Sequence, residues 1–233
     1  MNPTIDIDGN TDIIWRLSRS RLVGNGRTIP LERLGQGKFC RAYRMASEPT
    51  RAILIVNDSY HDKEILTEAH RHNPNNPHIP AVSQFGLTAE DTIYSAPVYH
   101  KLTPNSDDAW ADWLKIRRAM KAARKPFDEM QSNCEWHRRN NEHDGCYLNQ
   151  YFIDEAPNFG IDGPLLEALE EICYQAQNYG SDVWMEFRPG NLGVDDAGRL
   201  VLIDPTFNMT QLRARDKKRA MQTTGQTPRS ALR

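Results

Sequence analysis

The stretch DVWMEFRPGNLGVDDAGRLVLIDP, residues 182–205, carries two side-chain oxygen donors that could share one cation. Asn191 follows a Pro-Gly turn and Asp204 ends the apolar run LVLI at 200–203, so a strand-turn-strand between them would bring both to one spot. Leu192, Gly193 and Val194 supply one strand, and DDAG at 195–198 supplies the turn. Two hard oxygens suit magnesium, which completes its shell with water and phosphate oxygens. The alternative is an ordinary hairpin that ends in a solvated Asp.

A second run, LGQGKFCRAY at 34–43, holds Gly35 and Gly37 with Phe39 two residues on. Glycines there let backbone amides approach phosphate oxygens with no Cβ in the way, although a plain turn has the same composition. A third cluster is CEWHRRNNEHDGC, in which Cys134, His137, His143 and Cys146 form a Cys-x2-His, x5, His-x2-Cys arrangement. Thiolate and imidazole at such spacings can converge on tetrahedral zinc. The middle loop is much shorter than the roughly twelve residues of common zinc fingers. Chance clustering in a polar linker is the alternative, and zinc is not favoured.

Taken in order, the glycine run and the Asn–Asp pair resemble the protein kinase superfamily, which orders a glycine-rich loop, a helix with Glu, a catalytic loop and a metal-binding Asp. Closer still, the chain resembles the small early serine/threonine protein kinases of short-tailed bacteriophages. Those share a loop of the form GxGxFxxAY, a catalytic loop ending Gly-Asn, and Asp-Pro in place of Asp-Phe-Gly. The likeness covers about residues 31–207 and is specific at its two ends. It implies an α+β, protein-kinase-like two-lobed fold with a reduced C-terminal lobe, and ATP with magnesium as ligands. Gly35, Gln36, Gly37, Lys38 and Phe39 would cover the phosphates, and Asn191 and Asp204 would hold magnesium. Glu186 and Arg188 would complete the catalytic loop, Pro97 would lie on the adenine edge at 97–101, and Glu64 or Glu68 would sit on the regulatory helix. Both glutamates also fit a solvated helix face.

Two positions depart from the family. On the strand RAILIVN the phosphate-binding Lys is replaced by Leu54, or by Ile55 with a one-residue shift. Lys38, Arg41 or Lys63 could supply a cation from another direction. Glu186 stands five residues before Asn191, where the family has Asp. Its extra methylene can move a carboxylate by more than about 1 Å, a misplacement worth roughly a hundredfold in rate. After Asp204 the tail QLRARDKKRAMQTTGQTPRSALR is polar and basic, and reads as one short helix followed by disorder. The resemblance implies three functions: a Ser/Thr kinase of host proteins during infection, a catalytically inactive pseudokinase that binds or inhibits a host protein, or a small-molecule phosphotransferase. The loop ending Ala-Tyr favours the first two.

The elements that must position these residues can be traced along the chain. Residues 1–28 read as an N-terminal extension in which Ile13, Ile14, Trp15 and Leu17 pack on the N-terminal lobe. Residues 29–101 hold strands over 29–56, a helix over 61–72 with Ile65, Leu66 and Ala69 on one face, and strands over 82–85 and 92–98. Residues 102–211 form the second half, and 212–233 a basic, disordered tail. Asp107 and Asp108 start a helix carrying Trp110, Trp113, Leu114 and Met120, with Lys115, Arg117, Arg118, Lys121, Arg124 and Lys125 on its other faces. That basic surface reads as a solvated face before it reads as a phosphate or nucleic-acid site. Asp162, Gly163 and Pro164 start another helix through Leu165, Leu169, Ile172, Cys173 and Ala176, stopped by Gly180.

Composition bounds the rest. With 233 residues, 39% of them hydrophobic, and a formal net charge of -2, the chain can form one two-lobed domain or two small ones. A mean hydropathy of -0.69 adds long polar loops. Near-zero charge gives no global drive toward nucleic acid or membranes. No apolar run reaches spanning length and the start MNPTIDIDGNTD lacks a secretory signal. The expected location is the cytoplasm, that of the infected bacterium if the chain is phage-encoded. Cys40, Cys134, Cys146 and Cys173 fit reduced thiols.

Overall fold

A computed structural model describes residues 15–18, 20–24, 26–37, 39–57, 61–133 and 145–224. The chain is mixed α+β, a curled antiparallel sheet followed by a mostly helical half. The sheet contains β1 (Arg16–Ser18), β2 (Arg21–Gly24), β3 (Arg27–Gln36), β4 (Cys40–Met45), β5 (Glu48–Asn57), β6 (Ser83–Leu87) and β7 (Asp91–Pro97), in the order β1-β2-β3-β4-β5-β7-β6. The apolar run AILIV at 52–56 is continuous because β5 is central and covered on both faces. Side chains alternate along it: Ile53 and Ile55 join a cluster with Leu22, Met45 and Ile93, while Leu54 and Val56 face the helical half.

The curl brings the two sheet edges together. The Trp15 N–H donates to the Leu87 carbonyl at 2.7 Å, and the Trp15 ring stacks on Phe85 with centroids 5.4 Å apart. Bulges between Arg33 and Gly35, Arg44 and Met45, and Gln84 and Gly86 add the local twist that such curling needs. Residues expected to form an extension thus contribute two strands and a buried Trp to the sheet, and the boundary expected at 28/29 falls inside β3.

Helix α1 (Asp62–His72) joins β5 to β6 and buries Ile65, Leu66 and Ala69, the face its spacing implied. The connection back to β6 is fixed by two buried polar residues. Asn76 Nδ2 donates to the Pro164 carbonyl at 2.7 Å, and His78 Nδ1 donates to the Leu200 carbonyl at 2.7 Å. Burial lowers the His78 pKa, so the ring is neutral with its proton on Nδ1.

The helical half contains α2 (Asp107–Asn133), α3 (Gly145–Glu155) and α4 (Gly163–Gln177). Ile116, Ala123 and Phe127 of α2 share one core with Leu148 and Phe152 of α3 and with Leu169 and Ile172 of α4. The expected start of α4 at Asp162, Gly163 and Pro164 is where that helix begins. No expectation covered α3, whose first residue must be small, because a Cβ on Gly145 would lie 2.5 Å from Trp184 Cδ1.

Short strands complete the half: β8 (His100–Lys101), β9 (Val183–Met185), β10 (Gly193–Val194), β11 (Leu200–Val201) and β12 (Thr206–Asn208), followed by α5 (Met209–Thr224). β10 lies between β8 and β11, and β9 pairs with β12. The tail boundary expected at 212 falls inside α5, since Phe207 and Met209 pack against the core and give the helix an anchored start. Residues 225–233 lie outside the described residues. Among the described residues, no helix is long and apolar enough to cross a membrane.

Candidate functional site

The β10–β11 hairpin closes through a turn in which Gly198 takes φ +80 and Asp195 Oδ1 accepts the Ala197 and Arg199 N–H groups at 3.0 and 2.8 Å. Its ends therefore meet, and the Asp204 N–H donates to the Asn191 carbonyl at 2.9 Å. The Glu186 N–H donates to the Pro205 carbonyl at 2.7 Å, so 186–191 and 204–206 are tied backbone to backbone. Buried Asn149 supports this from below, donating to the Val183 carbonyl and accepting the Met185 N–H, each at 3.0 Å. Trp113 Nε1 donates to the Phe187 carbonyl at 2.9 Å. Asn191 directs its Nδ2 to Glu186, reaching Oε2 at 3.1 Å, which leaves Oδ1 as the atom it can offer a cation.

Opposite lies the β3–β4 hairpin, closed by the Gly37 N–H donating to the Cys40 carbonyl at 2.8 Å. A Cβ on Gly35 would meet nothing within 4 Å, and one on Gly37 would meet only the Cys40 carbonyl at 3.7 Å. Neither glycine has a positive φ. Internal packing does not require them; a Cβ at either position would instead narrow the space between hairpin and floor.

That space is a cleft of about 420 Å³ with an apolar end and a polar end. Ala42, Ala52, Leu54, Val82 and Ala96 line the first, while Gly35, Gln36, Gly37, Lys63, Asn191 and Asp204 line the second. Pro97, Val98 and Tyr99 form its rim. Pro97 has no N–H and the Val98 N–H already donates to the Thr50 carbonyl at 2.8 Å, so backbone donors on this rim start at Tyr99. Gly193 makes room for the rim, since its Cβ would fall 2.7 Å from the Tyr99 Cβ. A second cleft, also about 420 Å³, adjoins the first through Gly37, Cys40, Asn191 and Asp204. Phe39, Glu186, Arg188, Thr206, Phe207, Met209 and Leu212 line the rest of it.

Between hairpin and floor stands Lys63, in the first turn of α1. Its side chain is 3% exposed, and its ammonium donates to Asp204 Oδ1 at 2.8 Å, Asp62 Oδ2 at 2.5 Å and the Ile203 carbonyl at 2.7 Å. Burial opposes the charge, but Asp204 and Asp62 outweigh it and hold the ammonium above the usual lysine range. Burial, aided by the nearby Asp204 charge, pushes the Asp62 carboxyl up to about 7 against the pull of Lys63. Burial likewise opposes ionisation of Asp204, but Lys63 and hydrogen bonds from Lys63 and Asp62 hold it below the usual carboxylate range. Burial also pushes the Cys40 thiol, on both clefts, up to about 11, which keeps it neutral.

The candidate residues are thus sorted by position. Gly35, Gln36, Gly37, Pro97, Asn191 and Asp204 share the first cleft, and Phe39, Glu186 and Arg188 lie on the second. Glu64 and Glu68 line neither. Glu64 bonds His61 Nδ1 at 2.7 Å and Glu68 bonds Arg71, because the helical turn that buries Ile65 and Ala69 points both glutamates elsewhere. Arg41 pairs with Asp91 at 2.5 Å. Lys38, Cys134, His137 and His143 lie outside the described residues, and the Cys146 thiol sits 3.8 Å from the Gly180 carbonyl. Among the described residues, no group of three or more His, Cys, Asp or Glu could hold a metal by itself.

No protein-family model matches this chain, and no curated protein matches it either. The assignment therefore depends on the chemistry of the cleft. Asp62 was missed from sequence, although a signal existed: counting back from Ala69 and Leu66 by helical spacing lands on Asp62, which places a carboxylate on the buried stripe.

Proposed function

We propose that this chain is a kinase-like protein with a two-lobed α+β fold and a reduced C-terminal lobe, which binds ATP with magnesium and phosphorylates Ser or Thr of a host protein. The observation that carries the reading is the convergence on one cleft of two glycines that packing does not require with an adjoining Asn–Asp pair. The element order supports it: β3, β4 and β5, then α1, then β6 and β7 follow the order the resemblance implies, with β1 and β2 added ahead of them. The apolar end of the cleft suits a base and its polar end suits phosphates, in a volume within the usual range for small-molecule sites.

The donor set fits magnesium. Asn191 and Asp204 offer two hard oxygens on residues joined by a 2.9 Å backbone bond, too few for a self-sufficient cage and appropriate for an ion that keeps water and phosphate ligands. Magnesium held there would offset the charge of the phosphate oxygens. On the adjoining cleft, Glu186 would accept the proton of the acceptor hydroxyl. The hydroxyl oxygen then bonds to the γ-phosphorus as the bond from that phosphorus to the β–γ bridging oxygen breaks, and ADP is the leaving group.

A second reading, nucleotide binding without transfer, has one observation in its favour. Both Glu186 oxygens are engaged, Oε1 by Arg188 Nε at 2.7 Å and Oε2 by Asn191 at 3.1 Å, so one bond must open before the carboxylate can take a proton. Thermal shift with ATP and magnesium, followed by transfer of radiolabelled γ-phosphate to a bacterial lysate, tests both. The expected result is a rise in Tm and incorporation of label, both lost in Asp204→Ala. A rise without label selects the second reading, and no rise with any nucleotide overturns both.

A further inference from the structure

Resting on the nucleotide-binding reading, we propose that Lys63, presented by α1 instead of a strand, is the cation that meets the nucleotide phosphates, with Asp62 as the positioning residue that holds it. Three observations converge on this pair.

The first is that the residues β5 turns to the cleft, Ala52 and Leu54, include no cation. Leu54 lines the cleft between Ala42 of β4 and Tyr94 of β7, in the place where a strand cation would project, and it is apolar. The second is the position of Lys63 itself. It lines the same cleft as Gly35, Gly37, Asn191 and Asp204, and its three N–H donors are all engaged. A lysine this deeply buried is tolerated only when paired, and one of its partners is the carboxylate that the nucleotide reading assigns to magnesium. Phosphate oxygens offer that ammonium further charged acceptors in the same cleft.

The third is Asp62. Its side chain is fully buried and also accepts from Thr206 Oγ1 at 2.7 Å and from the Thr206 N–H at 3.3 Å. Those bonds fasten the first turn of α1 to the segment just after Asp204. Lys63 can therefore turn toward a ligand while Asp62 keeps α1 in register with the floor. Where a strand carries the cation and a helix its carboxylate partner, the helix moves only the partner. Here consecutive residues of one helix carry both, so a displacement of α1 would withdraw the cation itself.

The test separates phosphate binding from a structural tie. Affinities of the full chain for adenosine and for ADP are measured in EDTA, so that nothing depends on metal held by Asn191 and Asp204. Lys63→Met alone leaves Asp62 buried and unpaired, so the decisive variant is the neutral pair D62N/K63M, checked for its thermal transition. The expected result is a loss of ADP affinity of roughly tenfold or more with adenosine affinity unchanged, and recovery of ADP affinity in L54K/D62N/K63M, which returns a lysine to β5. ADP affinity within twofold of wild type in folded D62N/K63M overturns the proposal and leaves the nucleotide reading standing. Equal loss for adenosine and ADP also overturns it, because the role is then structural. Wild type that binds neither ligand overturns both.

Discussion

The two clefts are alike in volume and share four lining residues, yet they hold their charges in opposite ways. At the first, Asp62 and Lys63 are 0% and 3% exposed, and the ammonium is fixed by three acceptors on three different residues. At the second, Arg188 is 75% exposed and grips Glu186 from a side chain otherwise in water. Charges removed from water must be fully satisfied, whereas a surface pair can open and re-form at little cost. The first cleft is thus built before any ligand arrives. The second is adjustable, which suits the acceptor role proposed for it.

The largest effect that this contrast implies is on stability. Lys63→Met removes the cation that, among the described residues, pairs with a fully buried Asp62. Breaking a buried pair from one side costs about 3–5 kcal/mol, and urea unfolding should show a loss of that order. The double variant D62N/K63M should recover much of it, because the one carboxylate that then lacks its cation is the 39% exposed Asp204, and the neutral amide at 62 can still accept from Thr206. A double variant no more stable than Lys63→Met would mean that the pair is not a unit.

A smaller, pH-dependent effect comes from Asp62 alone. Burial pushes its carboxyl from 3.8 to about 7 in the folded chain, so the folded state holds a proton that the unfolded state has released. Its contribution is therefore full below 3.8 and is lost as pH rises through about 7. Asp204, held low chiefly by Lys63 against its own burial, acts in the opposite sense and below 3.8, outside that window. Relative to Asp62→Asn, wild type should lose stability steadily as pH rises between those limits. Unfolding midpoints of both proteins across this range measure it. A gap that stays constant, or moves in favour of wild type with rising pH, would remove Asp62 as the cause.

The difference between the clefts also marks how far the sequence was legible. Periodicity located α1, the two helices begun at Asp107 and Gly163, and the strands around RAILIVN, because each buries a regular stripe or run. The meeting of Asn191 and Asp204 was readable because a hairpin turn fixes it locally. The partner of Lys63 was not, since it depends on Thr206 and Asp204 arriving from more than a hundred residues away. Glu64 and Glu68 were the natural candidates for that role on residue type alone, and the direction of the buried face excludes them from the cleft. Helix α3 escaped notice because it starts beside a polar Cys- and His-rich stretch and is held by Gly145 against Trp184, a contact with no local signature.

The smallest effect belongs to Arg188, and it is the sharpest check on the contrast. Its pair with Glu186 is short at 2.7 Å, so distance alone would rank it with the Lys63 bonds. Exposure argues otherwise: a guanidinium 75% in water loses little hydration on pairing and regains it on release. Arg188→Ala should therefore change unfolding free energy by less than about 1 kcal/mol, and added salt should shrink even that difference, because exposed charges are screened. A cost near that of Lys63→Met, or one insensitive to salt, would mean that both clefts are rigid. The carboxylate of Glu186 would then be locked, and nucleotide binding without transfer would become the stronger reading of the site.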